Sequence, residues 1–270
     1  MNKYLQLFRL GNCAMGIIGI IVSAFIAVGL DTGDYWQNLI ISCFIVVIFI
    51  AGGNSINDYI DRDIDITSHP DRPIPSGKMN AKHALYIGTG ALIISCLLSL
   101  LLKNVMSTLI VIIACILIIS YELFLKQRGF VGNVTIALLT GMVFLLGGAI
   151  VGHIENSYVV AILAALVSIG REITKDIEDM EGDRGRFTLP MKIGKKNAGI
   201  IAAIFFVAGP ALSLWPIFSN TLGYLYLTVL IADAMFVYAA LILFNDPHKA
   251  QKTAKFAMIV ALVAFILGVI

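Results

Sequence analysis

Nine apolar runs of roughly membrane-spanning length occupy most of this 270-residue chain. A transmembrane helix needs about 20 mostly apolar residues, and only segments that satisfy their own backbone hydrogen bonds can cross lipid. With 59% hydrophobic and 13% charged residues, the chain has too little polar surface for a soluble domain. We therefore predict an all-α, polytopic membrane protein with about nine transmembrane helices in a bundle. The runs cover roughly 13–30, 38–58, 84–102, 105–122, 133–152, 157–175, 199–217, 221–243 and 256–270.

The basic residues are distributed very unequally between the two sides of the predicted bundle. Of 19 Lys and Arg residues, only Lys103 falls in a loop opposite the N-terminus. Positive charge marks the cytoplasmic side of a membrane protein. The first apolar run has no small-residue cleavage site, so we expect a retained helix. These features predict a multi-pass protein of the cell membrane with a cytoplasmic N-terminus. A net charge of +2 gives no reason to expect nucleic-acid binding, and no obligatory protein partner is evident.

One acidic pattern occurs twice in the chain, as NDYIDRDID and as KDIEDMEGD. The offset is constant, since 176 − 58, 179 − 61 and 183 − 65 all equal 118, and a Gly-Lys-x-Asn-Ala string follows each copy. This repetition indicates a duplication within one domain, residues 1–270. We predict two quasi-repeated four-helix halves followed by a ninth helix. The acidic motif regions, 57–83 and 171–198, both lie on the side predicted to be cytoplasmic.

The acidic residues are spaced to share one side of a helix. Positions i, i+3 and i+7 lie on the same face, so each copy presents a row of carboxylates, and two facing rows can hold divalent cations. Acidic turns beside a membrane are often merely solvated, but a solvated loop needs no fixed spacing. Oxygen ligands without His or Cys favour a hard cation, and Mg²⁺ commonly shares its ligands with substrate phosphates. We predict metal binding by Asn57, Asp58, Asp61, Asp65, Asp176, Asp179 and Asp183, with catalysis carried by Asp61, Asp65, Asp179 and Asp183.

Basic residues near both motifs suit a phosphate-bearing substrate. No Walker-type glycine loop is present, which argues against nucleotide hydrolysis. Near the second motif, Arg184 and Arg186 add to the cluster, whereas we interpret Lys249, Lys252 and Lys255 as membrane-orienting charges. The candidate phosphate-binding cations are Arg72, Lys78, Lys126, Arg171 and Lys175.

The two motifs resemble the signature regions of the UbiA superfamily of intramembrane prenyltransferases. The resemblance rests on NDYIDRDID followed by HPDRPIPSG, and on KDIEDMEGD followed by TLP. It implies a nine-helix bundle whose central cavity is capped by cytoplasmic loops, and it adds three substrate-binding residues: Arg9 and Asn12 of RLGN, and Tyr121. Leu10 replaces the family's proline in that first signature. Within the superfamily, GREITKDIEDMEGD is most similar to the archaeal digeranylgeranylglyceryl phosphate synthases.

That resemblance implies transfer of a geranylgeranyl group from its diphosphate to the free hydroxyl of geranylgeranylglyceryl phosphate, with Mg²⁺ as cofactor. Neutralising the diphosphate would release an allylic carbocation, which a dry cavity would protect from water. Two alternatives stay open: an aromatic acceptor such as a quinone or haem precursor, and a cation transporter with intramembrane acids. The general base is not assigned. Asp233, within an apolar run, is either functional or hydrogen-bonded to a neighbouring helix.

Overall fold

The computed structural model describes residues 2–180, 187–219 and 222–269. Within these ranges the chain is helical and contains no strand, and nine of its helices have 14 or more residues. The all-α prediction is confirmed. These helices are α1 (Leu10–Val28), α2 (Trp36–Ile60), α3 (Ala81–Ser99), α4 (Val105–Ser120), α5 (Phe130–Ile150), α6 (Tyr158–Asp179), α7 (Lys195–Ser213), α8 (Val229–Ile242) and α9 (Pro247–Val269).

Short helical segments connect the long ones and close several of their ends. α-Helical turns occur at Lys3–Phe8, Arg62–Ser68, Leu189–Ile193 and Trp215–Phe218. Segments of 3₁₀-helix lie at Gly29–Tyr35, Leu100–Leu102, Ile154–Ser157 and Tyr224–Thr228, and α4 continues as a π-helix over Tyr121–Leu125. A π-helical turn widens the helix locally and is frequent at functional sites.

Two helix boundaries differ from the predicted runs. The last helix begins at Pro247, not near 256, because the basic segment HKAQKTAK is itself helical and its proline fits the first helical position. Conversely, α8 begins at Val229, since Tyr224–Thr228 forms 3₁₀-helix. In both places the hydropathy pattern identified an apolar segment, whereas the helix boundary depends on backbone geometry.

The helices form a bundle in which sequence neighbours pack together and the last helix returns to the first. Helices α2 and α3 pack closely, as do α5 with α6, α6 with α7, and α8 with α9, while α1 contacts both α5 and α9. Glycine allows the closest of these approaches. A Cβ atom on Gly147 of α5 would lie 2.7 Å from the backbone oxygen of Ile20 in α1, and one on Gly88 of α3 would lie 3.0 Å from that of Gly52 in α2.

The apolar character of the bundle identifies a multi-pass membrane protein. Within the described residues, eight segments are long and apolar enough to cross a membrane, and the first, Leu10–Ile60, contains both α1 and α2. Large apolar side chains cover the outer surface: Phe44, Ile93 and Ile116 are each about 60% exposed. Nine crossings and a duplicated pair of halves stay predictions. The ends of α2 and α6 nevertheless correspond, because Ile60 shifted by 118 positions is residue 178, one residue before α6 ends.

Candidate active site

One cavity of about 760 Å³ is lined by residues from both acidic motifs. Its polar end is lined by Asp61 and Asp65 from the first motif and by Asp176 and Asp179 from the second. Towards the interior of the bundle the walls become apolar, with residues such as Phe144, Leu163, Val167, Phe236 and Phe265. The structure therefore brings the two sequence motifs together at the mouth of one hydrophobic chamber. We call this polar end the motif mouth.

The first motif follows a nearly continuous helical path. Helix α2 ends at Ile60, and Asp61 links it to the short helix Arg62–Ser68. The Asp61 backbone N–H donates to the Asn57 carbonyl at 2.9 Å, and the Asp65 N–H donates to the Asp61 carbonyl at 2.8 Å. The i to i+4 bonding across the break keeps the carboxylates on one side. All three are buried: Asp58, Asp61 and Asp65 are 1%, 6% and 2% exposed.

Two arginines neutralise the first and the last of these three carboxylates. Arg9 Nη2 lies 2.6 Å from Asp58 Oδ1 and donates to Asn57 Oδ1 at 3.1 Å. Arg72 Nη1 lies 2.6 Å from Asp65 Oδ2 and 3.6 Å from Asp58 Oδ1. Arg9 has φ of +52°, a left-handed conformation that costs a non-glycine residue free energy and is often found at functional sites. It separates the helix Lys3–Phe8 from α1, and its side chain joins the N-terminus to the motif.

The remaining carboxylate, Asp61, belongs to a buried network that includes Glu122, a residue that was not predicted from the sequence. Lys126 Nζ lies 2.5 Å from Asp61 Oδ2 and 3.3 Å from Glu122 Oε2. The Asn57 amide donates to both Glu122 oxygens, at 3.0 and 3.2 Å, and to Asp61 Oδ2 at 3.2 Å. Glu122 is only 6% exposed and lies in the π-helical turn that follows α4. The sequence signal for Glu122 is its position four residues before Lys126, a spacing at which two oppositely charged side chains can pair on one face of a helix.

The second motif occupies the last two turns of α6 and the residues after it. Asn133 of α5, also missed, donates through Nδ2 to Asp176 Oδ2 at 2.8 Å, and its own Oδ1 is buried without a partner among the described residues. Glu172 pairs with the adjacent Arg171 at 2.8 Å. Asp183, Arg184 and Arg186 lie outside the described residues. Nothing in the sequence distinguished Asn133 from the other polar residues of apolar runs.

The other predicted site residues fall into two groups. Asn12, Tyr121, Arg171 and Lys175 line the cavity, as do Asn57, Arg9, Arg72 and Lys126. Lys78 is exposed and does not contribute to the lining, and neither does Asp58, which is buried. Lys255 of α9, interpreted from sequence as an orienting charge, also lines the cavity.

The donor set at the motif mouth suits a hard cation such as Mg²⁺. Its ligand atoms are carboxylate and amide oxygens, and the lining includes no cysteine. Within the described part of the chain, no three His, Cys, Asp or Glu side chains come close enough to hold a metal by themselves. This arrangement matches the usual chemistry of Mg²⁺, which keeps one or two carboxylates and takes substrate phosphates or water for the rest.

The chain is similar along its whole length to proteins of known family. The model of the UbiA prenyltransferase family matches residues 17–266. The digeranylgeranylglyceryl phosphate synthase of Methanosphaera stadtmanae is 36% identical, with 99% of each chain covered. The synthase of the same name from Methanosarcina mazei is 39% identical over 100% of this chain and 99% of the relative. The family resemblance stated from the motifs is confirmed.

Solved structures share the fold. A structure of digeranylgeranylglyceryl phosphate synthase superposes with a TM-score of 0.81 at 34% identity, covering 99% of this chain and 97% of the other. A UbiA homolog from Archaeoglobus fulgidus, bound to DMAPP and Mg²⁺, superposes with a TM-score of 0.70 over 98% of this chain and 99% of the other. Because that protein is only 16% identical, its similarity concerns the fold alone.

Proposed function

The chain belongs to the UbiA prenyltransferase family, and we propose that it transfers a geranylgeranyl group from geranylgeranyl diphosphate to the free hydroxyl of geranylgeranylglyceryl phosphate. The product is an ether-linked membrane lipid precursor of archaea. The relatives that carry the name digeranylgeranylglyceryl phosphate synthase, 36–39% identical over almost all of the chain, support this choice of reaction. They favour it over an aromatic acceptor and over ion transport.

The observation that carries the proposal is the combination of a charged mouth and an apolar chamber in one cavity. The mouth supplies carboxylates and cations for a diphosphate, and the chamber of about 760 Å³ offers room for prenyl chains. An ion-transport site would place its acids near the middle of the membrane. Here both carboxylate rows lie at helix ends, which suits a substrate whose head is polar and whose tail belongs in lipid.

Mg²⁺ is the proposed cofactor, and the residues that would hold it are Asp61 and Asp65 of the first motif and Asp176, Asp179 and Asp183 of the second. When bound, Mg²⁺ supplies electrostatic stabilisation of the charge that develops on a departing diphosphate. The Archaeoglobus fulgidus homolog binds Mg²⁺ together with a prenyl diphosphate. Oxygen-rich lining residues support the same pairing in this chain.

The chain's own residues bind the diphosphate and exclude water from the reacting carbon. Arg9, Arg72 and Lys126 each pair with a motif carboxylate, so they are fixed in position before substrate arrives. Preorganised cations stabilise developing negative charge without reorganisation during the reaction. The apolar lining beyond the mouth would keep water away from an allylic cation.

The acceptor's phosphate has a natural binding region on the other side of the mouth. Arg171, Lys175 and Lys255 line the cavity from α6 and α9, and neither lysine forms an ion pair with a described residue. The Arg171 Nε atom is buried and has no hydrogen-bond partner among the described residues. A phosphomonoester would supply acceptors for all three, whereas a neutral phenolic acceptor would not. We assign this group to the acceptor phosphate and place both motif regions on the cytoplasmic face.

Product formation by the purified protein in detergent tests the proposal. Geranylgeranyl diphosphate is offered with geranylgeranylglyceryl phosphate, with its dephosphorylated form and with an aromatic acceptor in separate reactions. We expect ether product only from the first, loss of activity with chelator, and recovery with Mg²⁺. Asp61→Asn should abolish turnover, while Asp63→Asn serves as the matched control, because the Asp63 side chain is 79% exposed and does not line the cavity. The proposed function would be refuted by equal transfer to the dephosphorylated acceptor or by full activity in excess chelator.

A further inference from the structure

A second polar cluster lies deep in the same cavity, far from the motif mouth. It consists of Asp233 of α8, Ser213 at the end of α7, and Tyr226 in the 3₁₀-helix before α8, and all three line the cavity. Asp233, Ser213 and Tyr226 are 9%, 3% and 0% exposed. Neither the motifs nor the proposed transfer reaction uses these residues. We call them the deep polar cluster.

The distance between the two polar regions follows from helix packing. A Cβ atom on Gly209 of α7 would lie 2.5 Å from Val167 of α6, so these residues are neighbours. Twelve residues separate Val167 from Asp179 along α6, and Ser213 is one turn beyond Gly209 on α7. At 1.5 Å per residue, the deep polar cluster is roughly 20 Å or more from the second motif. It therefore lies near the opposite end of the bundle from the reacting groups.

The cluster is only partly satisfied by protein hydrogen bonds. Ser213 Oγ lies 2.7 Å from Asp233 Oδ2, so the hydrogen bond to a neighbouring helix does form. Asp233 Oδ1 makes no hydrogen bond with any residue in the described ranges, and the Tyr226 hydroxyl is buried without a partner there. Polar atoms that line a cavity and lack protein partners require water or a polar ligand group.

The surrounding walls are apolar. Tyr226 and Asp233 share one face of the α8 region with Val229 and Phe236, at spacings of three, seven and ten residues, and all four line the cavity. Leu262 and Phe265 of α9 complete this part of the lining. A hydrocarbon chain would pack well against these walls until it reached the polar cluster. There it would contact Asp233 Oδ1 and the Tyr226 hydroxyl, neither of which has a hydrogen-bond partner in the described ranges, without supplying one, which is unfavourable.

We propose that the deep polar cluster ends the hydrocarbon channel and limits the length of the prenyl chain that the cavity accepts. This inference rests on the proposed function, because it takes a prenyl diphosphate as the ligand. No polar group of the substrate is assigned to the cluster. Its residues are specificity determinants that act through exclusion, and they take no part in the chemistry at the motif mouth.

The test compares the binding of prenyl diphosphates with four and with five isoprene units to the purified protein in detergent with Mg²⁺. The wild-type protein should bind the four-unit ligand more tightly. Replacing the acid in Asp233→Leu should shift the ratio of dissociation constants about tenfold towards the five-unit ligand. Tyr226→Phe, which removes only a hydroxyl, should shift it in the same direction. Asp233→Asn keeps a polar group in the cavity and should retain the wild-type ratio.

The outcomes separate this inference from the proposed function. If neither prenyl diphosphate binds the wild-type protein, the proposed function fails and the inference fails with it. If both bind but Asp233→Leu and Tyr226→Phe leave the ratio unchanged, the inference alone is refuted, and the cluster only joins α7 to α8. Tyr226→Phe keeps the ring and its packing on Phe265, so it provides a result even if Asp233→Leu does not fold.

Discussion

Replacing Lys126 with methionine should destabilise the protein strongly when Mg²⁺ and substrate are absent. The Lys126 ammonium lies 2.5 Å from Asp61 and 3.3 Å from Glu122, and the three side chains are only 11%, 8% and 3% exposed. Methionine preserves much of the side-chain length and removes the charge. Two carboxylates then stay buried together without their cation, and breaking a buried pair in this way typically costs about 3–5 kcal/mol.

The lower part of that range applies here. Asn57 still donates hydrogen bonds to both carboxylates, and the motif mouth is open to water on one side. A loss of about 3 kcal/mol corresponds to a decrease in melting temperature on the order of 10 °C for a chain of this size. Thermal unfolding in detergent with chelator, followed by intrinsic fluorescence, measures this decrease.

Two further variants decide the cause. Arg128→Met removes an exposed cation two residues away and should leave the melting temperature nearly unchanged. Adding Asp61→Asn and Glu122→Gln to Lys126→Met makes the network neutral and should recover most of the lost stability, although activity stays absent. If Lys126→Met melts at the wild-type temperature, Lys126 does not stabilise the protein by neutralising these carboxylates.

Three other perturbations test separate parts of the description. In steady-state kinetics, Arg171→Ala should raise KM for the glyceryl phosphate acceptor about tenfold and KM for the prenyl diphosphate much less, because a charge-assisted hydrogen bond to the acceptor is lost. Lys196 is an exposed cation outside the cavity, so Lys196→Ala should change neither KM value. Cysteines introduced at the exposed positions Ser76 and Glu155 should react with an impermeant thiol reagent from opposite sides of oriented vesicles, and reaction from one side only would contradict the topology. Gly147→Ala should destabilise by about 1–3 kcal/mol because its Cβ would meet the Ile20 carbonyl oxygen at 2.7 Å, whereas Gly90→Ala, with no atom within 4 Å of its Cβ, should not lower the melting temperature.

Sequence alone was sufficient for those features that depend on local periodicity. Apolar runs predicted the helices, and the i, i+3, i+7 spacing predicted that Asp58, Asp61 and Asp65 would lie on one side of a helical path. The pairing of the motifs in one cavity followed from the family resemblance. These features depend on residues that are close in sequence or on motifs that are specific to one protein family.

The missing parts of the site depend on contacts between helices. Glu122 could be placed beside Asn57 only once α2 and α4 were packed, and Asn133 beside Asp176 only once α5 and α6 were packed. The sequence predicts a last helix over 256–270, which places Lys255 among the orienting charges before it. In the structure α9 begins at Pro247, and Lys255 lines the cavity. Hydropathy carries no information about such pairings.

The ion pairs of the first motif also have a consequence for how the protein assembles during synthesis. Arg9, Arg72 and Lys126, which pair with Asp58, Asp65 and Asp61, all lie within residues 9–126. A nascent chain that has inserted its first four helices and the following turn therefore already contains every partner of these three pairs. Lys126 is synthesised 65 residues after Asp61. The ion pairs of the first motif can therefore be completed only after the turn that contains Lys126 has been translated. Membrane-inserted chains that end shortly after Lys126 and have been released from the ribosome should already protect the first motif from proteolysis, while released chains that end before Glu122 should not.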